Sequence, residues 1–506
     1  MKILGIAYNL HDHNSYDGVL HNQVERHSRV KHNQSQKLHD AHHTDVIKPA
    51  FNGDYDVVAV SASKRGITRL TQDPHEDELS EFKDIYDFVP TTLWENIHRD
   101  GVYYIDHHQS HAAYAFLGSG FEESDILAID GVAMGGRRCF FFDKNGTITD
   151  LSLEMPIGWI WNHVSCLTDF GSLGAGKLMG LAASGKYSEW FYNIIDILVD
   201  EIAEGRQEQL SNNPNNYKIK ELGLEDFAFT LQQYTLDKIK ECVYPLKTSD
   251  NLCIAGGVAY NGYMNEQLTD YYVKVFVPPA VGDEGQSIGN YMHANYVLNN
   301  EVHVPNVFAG IEHTVDESMF LGYNWYEGGI NEIQDVVVDC IADGGIVGWY
   351  QGKSESGHRA LGNRSILADP RNPDIKDIIN KTIKLREDFR PFAPSCMEEH
   401  YQDYFDTNQP SPFMSRIVPV TSNKVPGITH IDNTARVQTV NKEFNERFHG
   451  LLSKFYDKTG IPMLLNTSFN CQEPIVETPR EALATFAKTG LDILVINNYI
   501  IWKEND

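Results

Sequence analysis

Three histidines, His107, His108 and His111, crowd into "DHHQSHAAYAF", where an apolar run ending on Asp106 gives way to an alanine-rich segment that predicts a helix start. His107 and His111 are one helical turn apart, so both imidazoles can reach a single metal ion, while His108 points elsewhere. Two imidazoles are only half of a ligand set, and such a pair alone is more often an accident of surface or core than a site. The other half has to come from carboxylates at loop ends. "ILAIDGVAMGG" runs a strand into Asp130 and turns on Gly131, and "VFVPPAVGDEGQSIGN" sets Asp283 in a glycine-bounded turn ahead of a helix. Each aspartate by itself reads equally well as an ordinary turn residue. Together the four form a mixed nitrogen and oxygen set compatible with iron(II), manganese or zinc.

A second kind of chemistry is written farther along. Between Gln351 and Arg390 there are nine Lys or Arg against six Asp or Glu, a positive island in a chain whose formal charge is −28. That suits an anionic small molecule, although a solvated basic helix face has the same composition. In "KLREDFRPFAPS", Lys384, Arg386 and Arg390 cannot share one helical face, because Pro391 ends any helix there. The irregularity favours a phosphate site, where an arginine fork binds two oxygens and a lysine adds a point charge. Arg436 in "NTARVQTV" adds another guanidinium. "PMLLNTSFN" ends an apolar strand on Asn466, Thr467 and Ser468, small polar groups where ligands often sit.

Two glycine turns invite a nucleotide. "GSLGAGKLMGLAASGK" fits GxxxxGK through Gly171, Gly176 and Lys177, but Leu178 stands where a P-loop needs a hydroxyl for magnesium, so a P-loop is rejected. A glycine turn with one lysine can still approach a phosphate. "CIAGGVAYNGYMN" runs a strand into Gly256 and Gly257 and on to Asn261, predicting bare amides for a phosphate or adenosine. An unremarkable tight turn explains the same residues.

These groups need a scaffold. "KILGIAY", "DVVAVSAS", "ESDILAID", "CFFFD", "NLCIAGG" and "VKVFVPP" read as strands, while "SEWFYNIIDILVDEIAEG" and "FAFTLQQYTLDKIKECV" carry apolar residues at helical spacing. The pattern is α/β. At 506 residues the chain exceeds one core, and a second unit restarts near residue 330. "HSRVKHNQSQKLHDAHH" and "QEQLSNNPNNYK" read as surface loops. The acidic balance repels nucleic acid and anionic lipid. No run approaches the roughly 18 apolar residues of a membrane helix, and "MKILGIAYNLHDHNS" is too short for a secretory signal. Seven cysteines without a CxxC pair suit reduced thiols, so the expected location is cytoplasmic.

The motifs "DHHQSHAA", "AIDG", "GKLMGLA", "GGVAYN", "VGDEG", "HRALGNRSI", "KLREDFRPFAP", "TARVQTV" and "LLNTSFN" occur in the order seen in the O-carbamoyltransferase family of the tobramycin and nodulation-factor type, which the chain resembles over nearly its whole length. The resemblance implies an actin-like or sugar-kinase-like ATPase fold of duplicated mixed sheets with helices over residues 1–325, and a YrdC-like α/β domain over 326–506. The second would make carbamoyl adenylate from carbamoyl phosphate and ATP with Mg2+, and the first would transfer the carbamoyl group to an acceptor hydroxyl beside iron(II) or another divalent transition metal. By resemblance the metal ligands are His107, His111, Asp130 and Asp283. The carbamoyl phosphate and ATP pocket draws on Lys384, Arg390, Arg436, Asn466 and Ser468, with Arg359 and Arg364 close by. Nucleotide contacts in the first domain fall to Gly176, Lys177, Gly256, Gly257 and Asn261. His11 matches a histidine suited to deprotonate the acceptor, since an imidazole titrates near working pH. The stretch "GKSESGHRALG" departs from the family pattern at Lys353, Ser354, Ser356 and His358.

The expected enzyme is therefore a carbamoyltransferase acting on a secondary metabolite, sugar or nucleoside, with a homodimer allowed and no membrane partner. A hydroxymethylated pyrimidine nucleotide or nucleic acid is the alternative acceptor. The competing class is a metal- and nucleotide-binding regulatory module without turnover, which has no need of a second phosphate-handling domain.

Overall fold

The computed structural model describes residues 1–8, 13–21, 55–61, 102–133, 136–152, 154–166, 168, 170–171, 174–203, 223–386 and 390–503. The chain divides into two compact units, Met1–Asn306 and Val307–Asp506. His11 and both histidine- or asparagine-rich loop segments lie outside the described residues. The division falls ahead of residue 326 because Phe320 is buried in the core of the second unit, and Val307 packs there with Leu361 and Met414.

The first unit is built on two five-stranded sheets. One contains β1 (Ile3–Tyr8), β2 (His13–Tyr16), β3 (Leu20–His21), β4 (Val57–Ser61) and β5 (Val102–Ile105) in the order β3-β2-β1-β4-β5. The other contains β6 (Asp125–Ala133), β7 (Gly136–Phe142), β8 (Ile148–Asp150), β9 (Asn251–Ala255) and β10 (Lys274–Phe276) in the order β10-β9-β6-β7-β8. The two repeat one plan: an antiparallel meander of three strands, with two further strands added parallel to its first. This is the duplicated mixed α/β architecture. The helices are α1 (His107–Ser119), α2 (Ile157–Cys166), α3 (Ala175–Ala182), α4 (Glu189–Ala203), α5 (Leu224–Cys242), α6 (Gly262–Gln267) and α7 (Gln286–Asn299). Central strands such as "LCIA" are buried on both faces, as parallel neighbours covered by helices must be.

The second unit has one nine-stranded mixed sheet, β11-β19-β18-β12-β13-β17-β14-β16-β15. Its strands are β11 (Asn324–Glu327), β12 (Val347–Tyr350), β13 (Arg364–Ala368), β14 (Ala393–Met397), β15 (Arg416–Pro419), β16 (Thr434–Val440), β17 (Met463–Ser468), β18 (Ile493–Ile496) and β19 (Tyr499–Trp502). Helices α8 (Ile330–Ala342), α9 (Ile375–Ile379), α10 (Glu446–Thr459) and α11 (Pro479–Lys488) complete it. One apolar core joins Val337 and Ile341 of α8, Leu451 and Phe455 of α10 and the central strands. Among the described residues no helix is long and apolar enough to cross a membrane.

Candidate functional site

In the first unit Asp106 caps α1, its carboxylate accepting from the His108 and Gln109 amides at 2.9 and 3.3 Å. The cap satisfies orphan donors of the first turn and starts the helix where His107 and His111 share a face. Their rings lie 4.8 Å apart, edge to face. A close crossing fixes α1 against α7. A Cβ on Gly289 would come 2.3 Å from the Ser110 carbonyl, so only glycine lets the two helices approach this closely. Ser110 Oγ donates to the Gln286 carbonyl at 3.2 Å, and Gln286 Nε2 donates to the His107 carbonyl at 3.1 Å. Asp283, just before α7, is thereby brought to the histidines.

Asp130 arrives from β6. That strand does not stop at Asp130, as its sequence suggests; it continues to Ala133 through a register shift between Ile129 and Val132. A bulge of this kind re-aims a side chain. Asp130 Oδ1 accepts from the Gly131 amide at 2.7 Å and from the Gly257 amide at 2.9 Å, leaving Oδ2 for the histidines.

The four side chains converge. His107 Nε2 lies 3.0 Å from Asp130 Oδ2 and 3.2 Å from Asp283 Oδ1, and His111 Nε2 lies 3.7 and 3.3 Å from the same two oxygens. One donor atom from each of the four residues falls within 4.8 Å of the others. Four ligands about 2.1 Å from one tetrahedral ion would stand about 3.4 Å apart, so the donor set fits a divalent metal in both chemistry and spacing. Burial opposes charge on His107, but Asp283 and Asp130 outweigh it and raise its pKa to about 10; His111 is raised in the same sense. Burial likewise opposes charge on Asp283, yet the histidines lower it to about 2 and hold Asp130 well below the carboxylate range. A buried site of two carboxylates demands positive charge, from protons or from an ion.

The expected nucleotide contacts in this unit divide. Gly176 and Lys177 lie in the first turn of α3, Gly176 exposed and Lys177 over the Phe170 ring at 5.6 Å. Gly256 and Gly257 do not offer bare amides: the first donates to the Val281 carbonyl at 2.8 Å and the second to Asp130. A Cβ on Gly256 would lie 2.2 Å from the Ile129 carbonyl, and one on Gly257 2.9 Å from Asp130 Oδ1, so this turn is glycine-rich in order to seat the carboxylate. Asn261 is 1% exposed, caps α6 by accepting from the Met264 amide at 3.2 Å, and donates to Gln232 at 3.0 Å. Its amide is a structural cap.

In the second unit, Lys384 ends a π-helical turn, and Leu385 follows with φ 46°. The buried ammonium donates to the Ser468 carbonyl at 2.5 Å and hydroxyl at 3.1 Å, and to the Asn470 carbonyl at 3.0 Å and side-chain oxygen at 2.6 Å. Burial, then Arg386 and Arg390, hold its pKa well below the lysine range. An arriving anion would relieve that strain. Arg436 donates to the Met414 carbonyl at 3.1 Å. Register pairing puts Ser395 of β14 opposite both Leu464 and Gln438, so Asn466, Ser468, Ser395, Gln438 and Arg436 share one face of the sheet.

Arg364 stands apart from this group. It is fully buried, donates to the carbonyls of Gln351, Asn363, Gly352 and Glu477, and stacks 3.6 Å over Tyr350. Those bonds make it a brace for the 351–363 loop, not an open anion ligand. Arg359 and Arg390 are partly exposed. Ser395, Gln438 and Asn470 escaped the sequence reading although they lie in quoted motifs. Polar residues at every second position of an apolar strand, Arg436 and Gln438 in "TARVQTV", were the available signal.

Comparison with known proteins shows the family. The description Carbamoyltransferase N-terminus matches residues 76–292, and Carbamoyltransferase C-terminus matches 338–503. The uncharacterized Synechocystis protein sll1178 is 33% identical over 79% of this chain and 76% of its own. Nodulation protein NolO of Bradyrhizobium diazoefficiens is 32% identical over 79% of each chain, and NolNO of Sinorhizobium fredii is 34% identical over 79% of this chain and 64% of its own. Among solved structures, full-length HypF in its phosphate- and nucleotide-bound form overlaps 58% of this chain and 55% of its own at 13% identity and a TM-score of 0.33, too distant a likeness to argue from. The protein is a transferase. It belongs to the carbamoyltransferase family.

Proposed function

We propose that this chain is an ATP-dependent O-carbamoyltransferase whose second unit activates carbamoyl phosphate and whose first unit delivers the carbamoyl group to a hydroxyl. The observation that carries the reading is the convergence of His107, His111, Asp130 and Asp283, drawn from three separate segments, with donor atoms within 4.8 Å. In the second unit, Lys384, Arg390, Arg436 and Ser468 bind the phosphate groups of carbamoyl phosphate and ATP. Because both phosphate and pyrophosphate leave, one water is consumed. Water takes the phosphoryl group from carbamoyl phosphate, and the carbamate oxygen attacks the α-phosphorus of ATP and displaces pyrophosphate, leaving carbamoyl adenylate. The cationic groups offset charge as the phosphates separate.

In the first unit the acceptor oxygen attacks the carbamoyl carbon, AMP leaves, and the hydroxyl proton passes to a base, for which His11 is assigned. Gly176 and Lys177, in the first turn of α3, are assigned to the nucleotide. His107, His111, Asp130 and Asp283 would hold a divalent metal, iron(II) by family resemblance, and when bound it would supply Lewis acidity to the transfer. The acceptor is a small hydroxyl compound, a sugar, nucleoside or other metabolite. Phosphorus NMR of full-length protein with ATP and carbamoyl phosphate tests the reading. Phosphate, pyrophosphate and adenylate should rise together, whereas ADP as the nucleotide product would point to phosphoryl transfer instead.

A further inference from the structure

A cleft of about 420 Å³ opens in the second unit at the carboxyl ends of β12 and β18, and none of the residues assigned to carbamoyl phosphate lines it. Its volume is that of a small-molecule site. The walls are fixed in advance. Asn497 and Asn498 make the turn between β18 and β19, with Asn497 at φ 52°. The Asn497 amide donates to the Tyr350 carbonyl at 2.9 Å, and its side-chain oxygen accepts from the Gly352 amide at 2.9 Å.

Two buried polar atoms of the lining residues have no partner. Arg447 Nη2 donates to the Asn497 carbonyl at 2.6 Å and to Asn498 Oδ1 at 2.7 Å, which leaves Nε buried and unpaired. Gln351 is 3% exposed, and its Nε2 donates to the same Asn497 carbonyl at 3.5 Å. A main-chain carbonyl only accepts, so the amide nitrogen faces it and Oε1 is the atom left buried and unpaired. Because both side chains bond one carbonyl, an unused donor and an unused acceptor stand side by side. A native protein seldom leaves such groups unpaired unless something completes them.

Charge narrows the ligand. Both hydrogen-bond partners of Arg447 are neutral oxygens, and burial pulls its guanidinium down to about 10. A desolvated cation without a counter-ion is costly, and a carboxylate would supply a charge-assisted bond there. The exposed Glu312 and Glu327 also line the cleft, which favours a cationic group at the rim and opposes a nucleotide or other polyphosphate. An α-amino acid meets both demands, since a single carbon joins its carboxylate to its ammonium.

We propose that this cleft binds a small zwitterionic ligand of the amino acid class, its carboxylate on Arg447 and its ammonium on Gln351 Oε1 and the rim glutamates. Gly352 and Asn363, which bracket the stretch that departs from the family pattern, also line the cleft, so the ligand rests against that stretch.

Isothermal titration calorimetry of the full-length protein with each of the standard L-amino acids at millimolar concentration tests the site. The measurement reads binding directly and is independent of whether carbamoyl phosphate is activated. At least one amino acid should bind at a single site per chain. Its methyl ester, which lacks the carboxylate charge, and its N-acetyl derivative, which lacks the ammonium, should each bind about tenfold more weakly or worse. Arg447→Met should cost about tenfold or more in affinity, and Glu312→Gln, at the exposed rim, about two- to fivefold. No binding of any amino acid, undiminished binding of either derivative, or unchanged affinity in Arg447→Met overturns the proposal. Should Arg447→Met fail to fold, the two derivatives tested on the natural chain still decide it.

Discussion

At the scale of single residues, the two halves of the proposed reaction rest on different side chains and can be lost separately. His111 is 1% exposed and faces both carboxylates, so His111→Ala leaves buried negative charge with half its imidazole partners. The variant should lose bound metal, read by elemental analysis, and lose carbamoyl transfer, while pyrophosphate release persists. Arg390→Ala removes a cation beside Lys384 and should abolish carbamoyl phosphate-dependent pyrophosphate release; normal ATP consumption would refute its role. Glu473 gives a pH signature. Burial opposes its charge, but Lys488 at 2.7 Å, Thr485 at 2.5 Å, its own backbone amide and the Cys471 amide lower its pKa to about 2 from 4.5. A depressed carboxylate stabilises the fold above its unfolded pKa, and the contribution fades as pH falls from 4.5 towards 2. Glu473→Gln should therefore cost about 1–2 kcal/mol in urea unfolding at neutral pH, after allowing for partial exposure, with the difference shrinking in acid.

At the scale of elements, the metal cluster is made by how α1 crosses α7 and how β6 bulges. Gly289→Ala would force a methyl group against the Ser110 carbonyl and should destabilise the protein by about 1–3 kcal/mol, with weaker retention of metal on dialysis. Of this arrangement, the start of α1 was legible, because an apolar run ending on Asp106 and then histidines one turn apart in an alanine-rich segment state both the helix start and the shared face, while the Asp106 cap comes from the structure. So were strands such as those in "ESDILAID" and "NLCIAGG", short apolar runs closing on Asp or Gly. The bulge in β6 was not legible: "ILAIDGVA" carries no local mark of the extra residue, which is set by pairing with β7. For the Gly256-Gly257 turn the sequence leaves a phosphate cradle and an ordinary tight turn equally open, because amide-rich turns look alike in sequence. Which acceptor an amide meets is decided by tertiary neighbours, here Asp130, more than a hundred residues upstream. Arg364 was counted with the anion ligands for the same reason, since sequence gives its charge but not the carbonyls around it.

At the scale of the molecule, the units Met1–Asn306 and Val307–Asp506 each have their own core. Unfolding followed by calorimetry should show two transitions, and chelation of metal should lower the first unit's transition without moving the second's, because a ligand stabilises only the unit that binds it. A single transition shifted as a whole would count against that division. The central claim is that the second unit makes an adenylate from carbamoyl phosphate before the first unit uses it. It is tested most directly by exchange of radiolabelled pyrophosphate into ATP. The account predicts exchange that requires carbamoyl phosphate, survives in His111→Ala and disappears in Arg390→Ala. Exchange that ignores carbamoyl phosphate, or that falls equally in both variants, would contradict it.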